Sequence, residues 1–302
     1  MRQVNWHGVY PAVTTKFKAN GDLDIPMFIL NIEAQAEAGV NGIVIGGSLG
    51  ESSTITHDER IELLRHALAA VGSSIDVILN IAEGSTNTAI SLARRAEENG
   101  AHGLMVLPPM MYKPTEDEVA EFYIEIANST SLPIMVYNNP VDYKIEITMD
   151  IFEKLLPFKN ITATKESTRD ISNVTRMINR FGDRYKILCG VDTLAMEELV
   201  MGADGWVAGL VDAFPYETVA IYKLVKAGRI EEAMKIYRWF LPLLELDINP
   251  QLVQNIKLAE AMTGLGTEHV RSPRKPLRGE ERARVTKIIE ACIAQKPVLP
   301  DL

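Results

Sequence analysis

Lys165 is the side chain of this sequence best suited to covalent chemistry. It follows an apolar, β-branched run at residues 160–164 (NITAT), where a buried strand would end. Burial disfavours the ammonium ion and lowers its pKa, and the free amine is a nucleophile toward carbonyl and imine carbons. The position therefore indicates a Schiff-base lysine. A lysine that reaches from a strand end to solvent and pairs with Glu166 fits the same position, so that alternative stays open.

Tyr137 and Asn139 mark the end of a second run of this kind, residues 133–137 (PIMVY). A phenol near a nucleophilic amine can pass protons to and from the reacting atoms, which is general acid–base catalysis. Asn139, two positions further on, is a candidate for substrate contact. A core aromatic residue with an ordinary hydrogen bond is the alternative interpretation of Tyr137.

A glycine-rich segment, residues 46–51 (GGSLGE), offers a site for a carboxylate. Glycine lets a ligand approach the backbone closely, and the N–H groups of Gly47, Ser48 and Leu49 could cradle an anion. Gly-Gly-Ser is also an ordinary turn, so the motif is weak by itself. The remaining substrate-binding candidates are at the ends of two later runs: Gly190, Asp192 and Val207.

Eight short apolar runs that alternate with helical patterns must position these residues. The runs are residues 9–13, 42–45, 76–80, 103–106, 133–137, 161–165, 186–190 and 205–208. Strands that alternate with helices are typical of a parallel sheet, and eight such units predict an α/β protein, a (β/α)8 TIM barrel. Active sites of these barrels lie at the carboxyl ends of the strands, so the candidate residues are expected to meet there.

Three helical patterns follow the last strand without a further strand between them. They cover residues 230–244, 250–263 and 280–295. A barrel has no place for three extra helices, so the pattern predicts a C-terminal three-helix extension. The expected division is a barrel at residues 1–225 and a helical domain at residues 226–302.

Composition and motif content exclude several classes of protein. The 302 residues include 40 acidic and 31 basic side chains, a net charge of −9, which disfavours nucleic acid as a partner. Neither a G-x-G-x-x-G nor a P-loop motif is present, and the five histidines and two cysteines lack metal-ligand spacing, so no cofactor and no metal are expected. The start MRQVNW does not resemble a signal peptide and no run is long enough for a membrane span, which predicts a cytoplasmic protein.

Three short motifs together resemble those of the dihydrodipicolinate synthase and N-acetylneuraminate lyase superfamily. Residues 47–51 (GSLGE) look like its G-[TS]-x-G-E carboxylate loop, residues 137–140 (YNNP) like its Y-N-x-P motif, and residues 165–167 (KES) like its K-[ED]-[AS] motif. The tyrosine and the lysine are 28 positions apart, as in the family. The resemblance implies a barrel with a helical tail, a homotetramer built as a dimer of dimers, and a small oxo-acid or imino-acid substrate.

The resemblance also implies roles for individual residues. Lys165 would form the Schiff base, Tyr137 would relay protons, and Ser48 with the Leu49 amide would bind the α-carboxylate of the substrate. In the synthase branch the tyrosine motif continues to an arginine that serves a second carboxylate, but Asp142 occupies that place here. A carboxylate there would repel a second carboxylate by about 4 kcal/mol at roughly 4 Å and an effective dielectric near 20.

A further departure concerns the tyrosine that synthases place at a subunit interface. Its position falls on Met111, and the neighbouring Tyr112 is a candidate substitute. The proton relay of the synthase branch is therefore incomplete at this position.

Within the superfamily the sequence most resembles the 1-pyrroline-4-hydroxy-2-carboxylate deaminases of hydroxyproline degradation. The supporting stretches are residues 47–51, 136–140, 205–211 and 237–244. This resemblance implies conversion of the cyclic imine to 2-oxoglutarate semialdehyde and ammonia. Two alternatives stay open: a pyruvate-dependent aldolase, lyase or synthase of the same superfamily, in which Asp192 could hold hydroxyls, and a barrel without catalytic activity that binds a small molecule.

Overall fold

Eight parallel strands form a closed barrel in which each strand pairs with the next in sequence and the first pairs with the last. The strands are β1 (Gly8–Val13), β2 (Gly42–Ile45), β3 (Asp76–Ile81), β4 (Gly103–Val106), β5 (Ile134–Asn138), β6 (Ile161–Glu166), β7 (Lys186–Cys189) and β8 (Gly205–Ala208). The structure is a computed structural model that describes residues 4–301. Residues 1–3 and 302 lie outside the described residues. They include the first half of the stretch MRQVNW, which was compared with signal peptides above. The predicted α/β fold, a (β/α)8 TIM barrel, is confirmed.

Helices alternate with the strands around the barrel, and further helices follow the last strand in sequence. They are α1 (Ile25–Ala38), α2 (His57–Val71), α3 (Thr86–Glu98), α4 (Glu116–Ser129), α5 (Pro140–Tyr143), α6 (Met149–Leu155), α7 (Ser172–Phe181), α8 (Ala195–Val200), α9 (Pro215–Lys226), α10 (Ile230–Leu244), α11 (Leu252–Thr263) and α12 (Gly279–Ala294). Thr56 and Thr115 cap the N-termini of α2 and α4, each in a reciprocal capping box. Gly39 caps the C-terminus of α1 in the left-handed conformation that glycine favours. None of these helices is long and apolar enough to cross a membrane.

The strands are buried almost throughout, which explains their apolar sequences. Only Thr162 and Lys186 among the strand residues are not fully buried. Side chains fill the barrel on the inside, and helices cover it on the outside, so both faces of each strand avoid water. Continuous β-branched runs, rather than alternating polar and apolar residues, are the pattern that this environment produces.

Helices α10, α11 and α12 form the predicted three-helix extension, and buried ion pairs join α11 to the barrel. Lys257 Nζ lies 2.5 Å from Glu51 Oε1 in the loop after β2, and Lys16 Nζ, after β1, lies 3.0 Å from Glu260 Oε1. None of these four side chains is exposed, and buried charges require partners of this kind. These contacts hold α11 against the carboxyl ends of the strands, whereas the domain boundary at residues 225/226 stays a prediction.

Candidate active site

Lys165 and Tyr137 lie side by side at the carboxyl ends of two neighbouring strands. The register of β5 and β6 pairs Tyr137 directly with Lys165. Paired residues of neighbouring strands point to the same face of a sheet, so the two side chains meet in the barrel mouth. The Lys165 amine lies 4.3 Å from the centre of the Tyr137 ring. The expected juxtaposition is present, while the catalytic roles of the two residues stay predictions.

Burial determines the chemistry of the Lys165 amine. Only 7% of this residue is exposed, and burial lowers the pKa of its ammonium group. The nearby Asp247 carboxyl opposes that shift. Gly190 provides space for the lysine, because a Cβ atom at that position would lie 2.6 Å from Lys165 Cε. A desolvated amine in this place is available as a nucleophile toward a carbonyl or imine carbon.

A cavity of about 190 Å³ surrounds these two residues. Most of the site residues predicted from sequence line it: Gly47, Ser48, Leu49, Tyr137, Asn139, Lys165, Gly190 and Val207. Pockets for larger, drug-sized ligands typically measure about 300–1,000 Å³, so this cavity suits a small organic acid. The structure thus brings together residues from five strand ends that are far apart in sequence.

Asp192 is the predicted site residue that does not line the cavity. Its carboxylate accepts hydrogen bonds from Trp206 Nε1 at 2.9 Å and from the backbone N–H groups of Gly209 and Leu210 at 3.1 and 2.8 Å. Both carboxylate oxygens are therefore engaged by β8 and the loop that follows it. These hydrogen bonds support the barrel and give no support to substrate contact by Asp192, which stays a prediction.

The carboxylate loop is anchored through its terminal glutamate. Glu51 pairs with Lys257 of α11, and Thr15 donates a hydrogen bond of 2.7 Å to the carbonyl of Gly50. Glu51 adopts a left-handed backbone conformation with φ 57°, which turns the chain sharply after the loop. These contacts fix the backbone while Ser48 faces the cavity. The glutamate of the GSLGE motif is thus a structural residue of the loop.

Asn139 connects Tyr137 to Asp142. Its Nδ2 atom donates to the Tyr137 oxygen at 3.1 Å and to Asp142 Oδ2 at 2.8 Å. Asp142 also lies 3.7 Å from Arg169 Nη2, and the two charged side chains are 55% and 40% exposed. Arg169 lines the cavity and offsets the charge of Asp142 in a place that solvent screens. The repulsion of about 4 kcal/mol expected from sequence alone is therefore an overestimate.

Tyr143 and Asp247 line the cavity although neither belongs to a motif singled out in the sequence. Tyr143 ends α5, and its hydroxyl forms a short hydrogen bond with Ser48 Oγ. Asp247 lies between α10 and α11, within the helical extension. Burial, reinforced by Asp192, raises the pKa of the Asp247 carboxyl well above its usual range. A search for residues directly after strands misses both, because Tyr143 is the last residue of a short helix and Asp247 follows a long helix.

Met111 and Tyr112 are on the surface of the chain. They are 80% and 53% exposed, and neither lines the cavity. Tyr112 therefore does not complete a relay within its own chain. Its contribution to a neighbouring subunit, like the homotetramer, stays a prediction.

The described residues, 4–301, contain no group of three or more His, Cys, Asp or Glu side chains that could hold a metal ion. The cavity itself offers one amine, two phenols and two carboxyls. These belong to Lys165, Tyr137, Tyr143, Asp142 and Asp247. The set is suited to imine formation with proton transfer.

The sequence has known relatives over almost its whole length. Residues 5–292 match the dihydrodipicolinate synthetase family. The 4-hydroxy-tetrahydrodipicolinate synthase of Methanothrix thermoacetophila is 30% identical over 288 residues, which cover 94% of this chain and 96% of that protein. The enzyme of the same name from Haloarcula marismortui is 32% identical over 279 residues, 90% of this chain and 89% of that one. These comparisons support the superfamily resemblance and give no support to the particular resemblance to deaminases.

Solved structures agree with the sequence comparison. The 4-hydroxy-tetrahydrodipicolinate synthase of Methylacidiphilum fumariolicum has a TM-score of 0.89 at 30% identity and covers 96% of this chain and 97% of its own. A structure described as the first monomeric dihydrodipicolinate synthase variant has a TM-score of 0.90 at 25% identity, with 97% of each chain covered. The family match at residues 5–292 includes all eight strands and the cavity they form. The chain therefore belongs to the dihydrodipicolinate synthetase family of lysine Schiff-base lyases.

Proposed function

We propose that this enzyme is a Schiff-base deaminase that converts 1-pyrroline-4-hydroxy-2-carboxylate to 2-oxoglutarate semialdehyde and ammonia. The observation that carries the proposal is the acidic side of the cavity. Asp142 and Asp247 line it together with Lys165, and Asp142 occupies the sequence position at which synthases of the superfamily have an arginine for a second carboxylate. The proposed substrate has a single carboxylate and a basic nitrogen, so it matches a cavity with acidic groups.

Lys165 begins the reaction by attacking C2, the imine carbon beside the carboxylate. The bond between C2 and the ring nitrogen then breaks, which leaves the lysine as a Schiff base at C2 and a primary amine at C5. Loss of a C3 proton gives an enamine that expels the C4 hydroxyl as water. Tautomerisation forms an imine at C5, and hydrolysis at C5 and C2 releases ammonia and frees the lysine. One water is consumed overall.

The other cavity residues have separate tasks in this mechanism. The N–H groups of the loop at residues 47–49 bind the α-carboxylate, because amides at a glycine-rich turn form an anion site. Tyr137, held by Asn139, moves protons at the reacting carbons. Asp247 lines the same cavity, and its carboxyl, whose pKa burial raises well above the usual range, is suited to supply a proton to the amine that forms as the nitrogen leaves C2.

Arg169 favours a second candidate, a synthase that condenses pyruvate with aspartate semialdehyde. This arginine lines the cavity beside Asp142. It could bind a second carboxylate from the loop after β6, whereas synthases use an arginine at the position of Asp142, after β5. The relatives described above bear the synthase name. The two candidates share Schiff-base formation and differ in whether the product carries one carboxylate or two.

Both reactions should be assayed with one preparation of the enzyme, together with Lys165→Ala and Arg169→Ala. The proposal expects ammonia release from the cyclic imine, its loss in Lys165→Ala, and release within a few-fold of normal in Arg169→Ala. Efficient condensation of pyruvate with aspartate semialdehyde, lowered in Arg169→Ala and without ammonia release, would overturn the deaminase in favour of the synthase.

A further inference from the structure

Tyr143 forms a second hydroxyl pair in the cavity, separate from the Tyr137–Asn139 contact. Its hydroxyl forms a short hydrogen bond with Ser48 Oγ, and its ring packs edge-on against the Tyr137 ring with 5.8 Å between the ring centres. Both members of the pair line the cavity beside Lys165. A tyrosine at the end of the four-residue helix α5 is thereby fixed on two sides, by a hydrogen bond and by an aromatic contact.

We propose that the Tyr143 hydroxyl, with Ser48 as its partner, transfers protons at the Lys165 nitrogen and that one chain contains this whole relay. The inference rests on the proposed Schiff-base chemistry but applies to any substrate of that chemistry. It assigns a function to a residue that belongs to none of the three motifs. It also removes the need for a tyrosine at the position of Met111.

Tyr137 presents its ring to the amine, whereas the Tyr143 hydroxyl is paired with Ser48. Lys165 Nζ lies 4.3 Å from the centre of the Tyr137 ring, so the amine is against the aromatic face, and the Tyr137 oxygen accepts a hydrogen bond from Asn139. Tyr143 meets the Tyr137 ring at an interplanar angle of 82°. Its hydroxyl is held by a serine that can both donate and accept, which is the property required of a relay.

The charges around Tyr143 agree with this role. Burial raises the pKa of the Tyr143 phenol well above its usual range, and the phenol therefore stays protonated and able to donate. The positive charge of Lys165 opposes that shift. The phenol and the amine line the same cavity, so the donor and the nitrogen it would serve share one site.

The proposed step conserves protons. When the Lys165 nitrogen has added to the substrate carbon, it carries one proton more than the imine retains. The bond between that carbon and the departing oxygen or nitrogen breaks as the carbon–nitrogen double bond forms. Tyr143 gives its proton to the departing atom and regains one from the Lys165 nitrogen, directly or through Ser48, so that the relay ends as it began.

Pyruvate in D2O provides a test that does not depend on the identity of the natural substrate. A Schiff base of pyruvate exchanges its methyl protons through the enamine, and NMR follows the exchange. The variants are Tyr143→Phe, Ser48→Ala and their double mutant. Tyr222→Phe is a matched control, because it also loses one hydroxyl with one hydrogen bond, to the Asp204 carbonyl before β8.

The relay predicts that Tyr143→Phe lowers the exchange rate at saturating pyruvate by about 10²-fold, within the range for general acid–base catalysis, and leaves the half-saturating concentration within about threefold. Ser48→Ala should lower the rate as well, and the double mutant should be no slower than the slower single mutant, because members of one relay are not additive. Circular dichroism shows whether each variant is folded, and Ser48→Ala tests the relay should Tyr143→Phe misfold.

Exchange by Tyr143→Phe within threefold of the wild-type rate would overturn the relay and leave the proposed function intact. A loss equal to that of Tyr222→Phe would do the same, because it would reflect structure alone. If the wild-type enzyme neither exchanges pyruvate protons nor releases ammonia, both the relay and the proposed function are refuted. Exchange without ammonia release would refute the deaminase only.

Discussion

Glu198 of α8 has a buried carboxyl group that should make the stability of this enzyme fall as pH rises. The residue is 0% exposed, and neither carboxylate oxygen has a hydrogen-bond partner among the nitrogen and oxygen atoms of the described residues. Burial, together with the nearby Glu166, raises the pKa of this carboxyl from 4.5 to about 8. The substitution Glu198→Gln keeps the shape of the protonated acid and cannot ionise.

The size of the effect follows from the two pKa values. In the unfolded chain Glu198 loses its proton near pH 4.5, whereas in the folded enzyme it holds the proton up to about pH 8. Between these values the folded state binds more protons, so its stability decreases by at most about 1.4 kcal/mol per pH unit. From pH 5 to pH 8 the wild-type enzyme should therefore lose on the order of 4 kcal/mol that Glu198→Gln retains.

Urea denaturation at pH 5.5, 7 and 8.5 measures this difference. The free energies of unfolding of the wild-type enzyme and Glu198→Gln should be similar at pH 5.5, and the variant should become the more stable protein as pH rises. Subtracting the two curves removes the effect of every other titrating group. A difference that does not change with pH would refute the reasoning, because it would mean that Glu198 has the same pKa in both states.

Three further substitutions test the site and its anchors. Tyr137→Phe should lower kcat by about 10²- to 10⁴-fold with little change in KM, since it removes a proton-transfer group and keeps the ring; an unchanged kcat in steady-state assays would make Tyr137 a packing residue. Lys257→Met should lower the free energy of unfolding by about 3–5 kcal/mol in urea, because it leaves Glu51 buried without its ion partner, and a loss below 1 kcal/mol would contradict that role. Gly190→Ala should slow borohydride trapping at least tenfold in a folded protein, because the added Cβ would lie 2.6 Å from Lys165 Cε, and normal trapping would show that the lysine has room to move.

The barrel could be predicted from the sequence because its strands are buried on both sides. Such strands are continuous β-branched runs, and all eight were recognised within one or two residues of their bounds. The small differences are at strand ends: β3 continues to Ile81 rather than Asn80, and β7 stops at Cys189 rather than Gly190. Strand ends are set by the hydrogen bonds of the neighbouring strand, which a single run of residues does not contain.

The cavity residues that stand at the ends of strands could be predicted from the sequence. Those that loops and helices bring to the cavity could not. Lys165 and Tyr137 meet because parallel pairing brings the ends of β5 and β6 together. Asp247 reaches the cavity only through the way that α10 and α11 pack on the barrel. Arg169 depends on a left-handed backbone conformation, φ 63°, in the loop after β6. The hydrogen bonds of Asp192 to β8 and its loop were hidden in the same way, because its place after β7 predicts a ligand contact but says nothing of those partners.

The central claim is that Lys165 forms a Schiff base with the substrate, and borohydride trapping tests it most directly. The enzyme is incubated with pyruvate or with the cyclic imine, reduced with borohydride, digested, and analysed by peptide mass mapping. The adduct should be on the peptide that contains Lys165, and Lys165→Ala should remain folded and give no adduct. An adduct on another lysine, or equal trapping by Lys165→Ala, would contradict the account.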